Sequence, residues 1–161
     1  MRKTVLAASV AALILPAAGT AHTAALNACT LVTTKQAATL AVTKSCVGKT
    51  NPGLSGVVSF ANWGSPGSSA TALALTVTTF DNTNNVAWRT NMQTLKLLPG
   101  NPKKVTGIGS IAYESGGDGG TLSTIHFVKG KRVVVFSWYS RKPETSLKAF
   151  NAIAKSIAGQ L

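Results

Sequence analysis

Hydrophobic and polar positions alternate most regularly at residues 71–80, where Leu73, Leu75 and Val77 interleave with Ala74, Thr76 and Thr78. A period of two predicts a strand with one apolar face on a core and a small, Thr-rich face outward or under light cover. Residues 57–63 predict a second strand, set between segments punctuated by Gly48, Pro52, Gly53 and Gly56 on one side and Gly64, Pro66 and Gly67 on the other. Beyond Val105 the chain reads as a meander of three strands at about 108–114, 121–128 and 132–139. The turns between them, 115–120 and 129–131, are rich in Gly, which takes positive φ without steric cost. Helical spacing appears three times. Thr33 stands three residues before Gln36, a capping box that opens an Ala-rich helix ending before Ser45. Asp81, Asn82 and Thr83 cap a helix over about 84–98, with Trp88, Met92 and Leu95 on one side and Pro99-Gly100 as its stop. Pro143 and Glu144 start a last helix with an apolar stripe of Leu147, Phe150, Ala154, Ile157 and Leu161. Strands and helices do not alternate regularly enough for a parallel sheet. The order α-β-β-α-β-β-β-α therefore predicts an α+β fold, an antiparallel five-stranded sheet with three helices packed on it.

Composition narrows the setting. The 161 residues suit one domain, and with 45% apolar residues a core can form although only 12% are charged. No repeat of 20 to 50 residues is present. Arg2 and Lys3 precede an apolar stretch at 5–15, Pro16 and a run of small residues, which is the layout of a secretory signal peptide. Gly19-Thr20-Ala21 offers the small side chains that cleavage needs, with Thr23-Ala24-Ala25 as a second choice. The expected organisation is a leader at 1–21, a short flexible segment at 22–28 and a single α+β domain at 29–161. The mature chain then carries no transmembrane helix. Leu26-Asn27-Ala28-Cys29 resembles a lipobox only as a string, because ten residues separate it from the apolar core and Asn27 is out of place there. The two cysteines, Cys29 and Cys46, permit one pairing, and export to an oxidising compartment favours it. Localisation is expected to be secreted or extracytoplasmic, in the cell envelope or outside it.

Charge adds a bias without a clear focus. Sixteen Lys and Arg against four Asp and Glu give a formal +12, which falls to +10 if Arg2 and Lys3 leave with the leader. Such a field attracts anions at low salt. Lys129, Lys131 and Arg132 cluster at one end of the last predicted strand, while Arg141 and Lys142 lie at the other, about 20–25 Å away at about 3.3 Å per residue. Weak contact with anionic envelope polymers or lipid headgroups fits this layout. An interleaved aromatic platform for nucleic acid is missing.

Catalytic motifs are scarce. Gly107-x-Gly109-x-x-Ala112 matches a dinucleotide fingerprint as a string but precedes a strand, where no helix N-terminus can hold a pyrophosphate. Neither a cofactor nor a metal site is expected: His126 is the one histidine of the 29–161 domain, and both cysteines are expected to pair. His126 alternates with Ile125 and Phe127, so it sits on the opposite face from them. Ser110, His126 and either Glu114 or Asp118 supply the residue types of a hydrolase without its motif, and this is the enzymatic alternative. Glu114 and Asp118 flank a Gly-rich turn that lacks the oxygen-rich ligands of a calcium loop.

The Cys-x-Leu-Val-Thr opening at Cys29, the Ala-rich helix, the second cysteine, the segment from Val105 to Tyr113, the Gly-rich turn and the final amphipathic helix resemble secreted envelope proteins of actinobacteria. The chain looks like the PknH-like extracytoplasmic sensor-domain and related uncharacterised secreted and lipoprotein families. It differs in having Ser110 where such proteins usually place an acidic residue. The resemblance implies a helix-on-sheet binding or sensing domain and no particular ligand. The expectation is a secreted, envelope-associated, non-catalytic binding domain acting on an unknown ligand or envelope protein. Trp63, Trp88, Lys129, Lys131 and Arg132 are its candidate contacts. A secreted inhibitor or toxin-like factor fits the same features.

Overall fold

Thr33 closes the expected capping box. Its Oγ1 accepts from the Gln36 amide at 3.1 Å, and Gln36 Oε1 accepts from the Thr33 amide at 2.8 Å. Two otherwise orphaned donors are thereby satisfied, and helix α1 (Thr34–Thr39) begins there. It is shorter than its Ala-rich sequence suggests, because Ala41 follows in left-handed backbone at φ 57° and turns the chain away. A single 3-10 turn, Ala28–Thr30, precedes it. These elements belong to a computed structural model that describes residues 26–50, 57–64, 71–79, 102–116, 122–140 and 147–161, with 89, 90, 92, 93 and 97.

Seven strands form one antiparallel sheet: β1 (Cys46–Thr50), β2 (Val57–Trp63), β3 (Ala72–Thr79), β4 (Lys103–Lys104), β5 (Ile111–Gly116), β6 (Leu122–Lys129) and β7 (Arg132–Tyr139). Their spatial order is β1-β2-β3-β7-β6-β5-β4. A second helix, α2 (Leu147–Gln160), ends the chain. The expectation of five strands with three helices is thus corrected to a mainly β architecture of seven strands with two α-helices and one 3-10 turn among the described residues. In the span of the expected middle helix, residues 89, 90, 92, 93 and 97 have helical backbone, while Trp88 and the other positions lie outside the described residues.

The two strands that periodicity missed have physical causes. β4 is two residues long, too short to show a pattern. β1 contains Gly48, which reads as loop punctuation but serves a close approach. A Cβ there would lie 2.8 Å from Cys29 Sγ and 2.9 Å from the Phe60 carbonyl oxygen. The bare backbone lets the 27–31 segment lie on β1, where the Cys29–Cys46 disulfide forms with Cα atoms 5.7 Å apart.

Register sorts the sheet into two faces, since directly opposed residues share one. On the first face Leu73 opposes Trp138, Leu75 opposes Phe136 and Val77 opposes Val134, and β6 adds Ile125 and Phe127. Helix α2 covers this face. Phe150 stacks on Phe136 with centroids 4.7 Å apart, and Ile153, Ala154, Ile157 and Ala158 complete the buried stripe. Gln36 Nε2 donates to Ser156 Oγ at 3.0 Å, and Gln160 Nε2 donates to the Leu31 carbonyl at 3.1 Å, tying α2 to the N-terminal segment. That segment starts before Cys29: Ala28 is in the core and its amide donates to Ser59 Oγ at 2.7 Å, while Leu26 packs against the core. Leu26 and Ala28 thus pack with the folded unit, while residues 22–25 lie outside the described residues. No described helix is long and apolar enough to cross a membrane.

Candidate functional site

The second face of the sheet is built differently. Alternation turns Ala74, Thr76 and Thr78 of β3 to it, all half-buried and small. Pairing then extends two transverse rows across five strands. One row runs Asn62, Ala74, Ser137, Thr124 and Ser115. The adjacent row runs Phe60, Thr76, Val135, His126 and Tyr113. Together they make a stripe that brings the polar groups of Asn62, Thr76, Ser115, Thr124, His126 and Ser137 onto one face, among Phe60, Ala74, Tyr113 and Val135.

Several of these polar groups are deeply buried. Ser115 and Thr124 are each 3% exposed and His126 is 2% exposed. Thr124 Oγ1 and Ser137 Oγ share a hydrogen bond at 3.1 Å. Ser115 Oγ, His126 Nδ1 and Asn62 Oδ1 are buried and find no partner among the described residues. Each such group costs about 1–3 kcal/mol when left unpaired, so these three need water or a ligand as partner; Glu114 Oε1, Trp138 Nε1 and Asn151 Oδ1 are buried and unpartnered elsewhere in the fold. Burial removes solvation from the His126 imidazolium and lowers its pKa from 6.5 to about 4, so the ring is neutral at pH 7. The stripe itself is uncharged. Lys49 and Lys104, both exposed, flank the His126 row at its two ends.

The residues singled out in the sequence are distributed as follows. Trp63 is 3% exposed and lies on the first face opposite Leu73, so it is a core residue and not a surface contact. Trp88 lies outside the described residues. Lys129 opposes Arg132 where β6 meets β7, with Lys131 in the turn, and the three do come together. Lys129 and Lys131 are exposed and Arg132 is half-buried. Lys103 and Lys104 sit on β4, separated from β6 by β5 and so displaced by about 10 Å at about 4.8 Å per strand.

The form of the hydrolase constellation that uses Glu114 is not assembled. Glu114 opposes Ile125 and shares the α2-covered face, whereas His126 opposes Tyr113 on the other. Ser110 Oγ donates to the Val128 carbonyl at 3.3 Å. Asp118 lies outside the described residues. The Gly107-x-Gly109 string forms a bend entering β5: Gly109 has φ 57°, and a Cβ there would meet the Val128 carbonyl oxygen. No dinucleotide turn is made.

Sequence reasoning found His126 and the Thr-rich face of β3 but not the stripe. Asn62, Ser115, Thr124 and Ser137 come from four strands, and only the register between those strands aligns them. The available signal was the repeated Ser or Thr at the alternate positions. Comparison with known proteins returns no match to a family model, a curated protein or a solved structure.

Proposed function

We propose that this chain is an exported, non-catalytic binding or sensing domain of the cell envelope, and that it receives a small uncharged molecule carrying hydroxyl or amide groups on the second face of its sheet. The observation that carries this reading is the set of three buried, unpartnered polar atoms, Asn62 Oδ1, Ser115 Oγ and His126 Nδ1, in two adjacent rows. Their chemistry selects the ligand class. Asn62 Oδ1 only accepts, so it asks for an O–H or N–H donor, while a serine hydroxyl serves in either role. A neutral imidazole provides no charge to hold an anion, and no carboxylate lies in either row to hold a cation.

The leader-like N-terminus and the Cys29–Cys46 disulfide support an extracytoplasmic setting. The resemblance to PknH-like sensor domains points the same way. Separation of Glu114 from His126 favours binding over the hydrolase reading.

Amide chemical-shift mapping of the oxidised protein tests the proposal. The probes are glycerol, myo-inositol, glucose and N-acetylglucosamine, with inorganic phosphate as the anionic control. At least one neutral probe should move the amides of Asn62, Ser115, Thr124, His126 and Ser137, and Ser115→Ala should weaken that response about tenfold, equivalent to 1.4 kcal/mol. Shifts confined to Lys129–Arg132 with phosphate, or no response on the second face to any neutral probe, would overturn it.

A further inference from the structure

The two edges of the sheet are unequal. β4 at one edge is a two-residue strand of adjacent lysines, too short to template another chain. β1 at the other edge is five residues long, pairs only with β2 among the described residues, and is exposed from Val47 to Thr50. Its outer side therefore presents backbone donors and acceptors in strand geometry. Val47 is 74% exposed and projects beside Phe60, itself 39% exposed, which stands diagonally across the pair on the same face.

This edge is also held in place. The disulfide fixes its first residue, and Ser59 Oγ accepts from the Ala28 amide at 2.7 Å and donates to the Lys49 carbonyl at 3.4 Å. A strand ordered before it binds loses little conformational entropy on binding. Charge then selects the partner. The described residues 26–50 and 57–64, which build this side of the molecule, contain Lys35, Lys44 and Lys49, all exposed, and no Asp or Glu. Pairing with a second copy would bring two strongly cationic surfaces together, whereas an acidic strand is attracted.

We propose that the outer edge of β1 docks an extended, acidic segment of a partner protein by strand addition, with main-chain hydrogen bonds supplying affinity and Lys44, Lys49, Val47 and Phe60 supplying specificity. The surface adjoins the polar stripe and shares Phe60 with it, but the inference rests on the backbone edge of β1 and its lysines and not on the ligand proposed for the stripe.

The test uses the oxidised protein and a capped eight-residue probe, Glu-Val-Thr-Val-Glu-Val-Thr-Glu. Two controls accompany it: the same peptide with Lys for every Glu, and the acidic peptide N-methylated at alternate residues to remove its donors. The acidic probe should slow hydrogen exchange of the outward amides in residues 46–50 at least tenfold, and both controls should bind at least tenfold more weakly. Lys49→Glu should reduce affinity for the acidic probe about tenfold with an unchanged melting temperature, since the side chain is exposed. Equal protection by the N-methylated peptide, shifts confined to Lys129–Arg132, or concentration-dependent protection of β1 without any peptide would each overturn the inference. The last result would assign the edge to self-association.

Discussion

His126 is where one side chain most directly controls the behaviour of the whole chain. Unfolded, it titrates near 6.5; in the fold, burial lowers this to about 4. Between those values the unfolded chain takes up a proton that the folded chain refuses, so acidification favours unfolding. This contribution to stability is complete above about pH 6.5, declines as the pH falls toward 4 and levels off below it. The loss amounts to about 3 kcal/mol at about 1.36 kcal/mol per pH unit. Denaturant titrations at a series of pH values should show that decline, and His126→Gln should remove most of it. A variant with an unchanged slope would place the titrating group elsewhere. Gly109 makes a second point at this scale. Its positive φ and its approach to the Val128 carbonyl exclude a side chain, so Gly109→Ala should destabilise the fold by more than about 2 kcal/mol, read as a lower denaturant midpoint.

Among the elements, those whose pattern is local were legible. The capping box at Thr33–Gln36 and the alternation of Leu73, Leu75 and Val77 depend on neighbours within one element, and they appear where periodicity placed them. The stripe on α2 was equally plain, with Phe150, Ala154 and Ile157 buried as spaced. β1 was not legible because its decisive residue, Gly48, answers to Cys29, which is close only after folding. The Asn62–Ser115 row was hidden for the same reason, since register across five strands is a tertiary property. Joining β1 to the 27–31 segment by the disulfide should contribute about 3 kcal/mol through loop closure over a separation of 17 residues. Replacing both cysteines with serine should therefore lower unfolding free energy by about that amount. An unchanged denaturant midpoint would show that the hydrogen bonds of Ala28 and Ser59 suffice to hold the segment. Phe150→Ala, which empties the contact with Phe136, should cost about 3–5 kcal/mol.

For the molecule as a whole, the sheet divides its labour between faces. One face and α2 supply the apolar core, with Glu114 of β5 on that same face. On the other, Thr124 and Ser137 bond each other, while Asn62 Oδ1, Ser115 Oγ and His126 Nδ1 are buried without a partner among the described residues. Apolar side chains at Ser115, Thr124 and His126 would serve stability better, and the proposed recognition role accounts for polar ones there. Among the described residues, positive charge on the strands lies outside the centre of the polar stripe, at the Lys129–Arg132 hairpin, on β4 at Lys103 and Lys104, and on β1 at Lys49. The central claim is that the second face binds an uncharged polar molecule. Its most direct measurement is a pair of crystal structures of the oxidised protein near atomic resolution, grown with and without whichever neutral probe moves the amides of this face. The account predicts probe hydroxyl or amide groups within about 3 Å of Asn62 Oδ1, Ser115 Oγ and His126 Nδ1. The same three atoms bonded in both crystals to fixed waters, with the probe elsewhere, would contradict it.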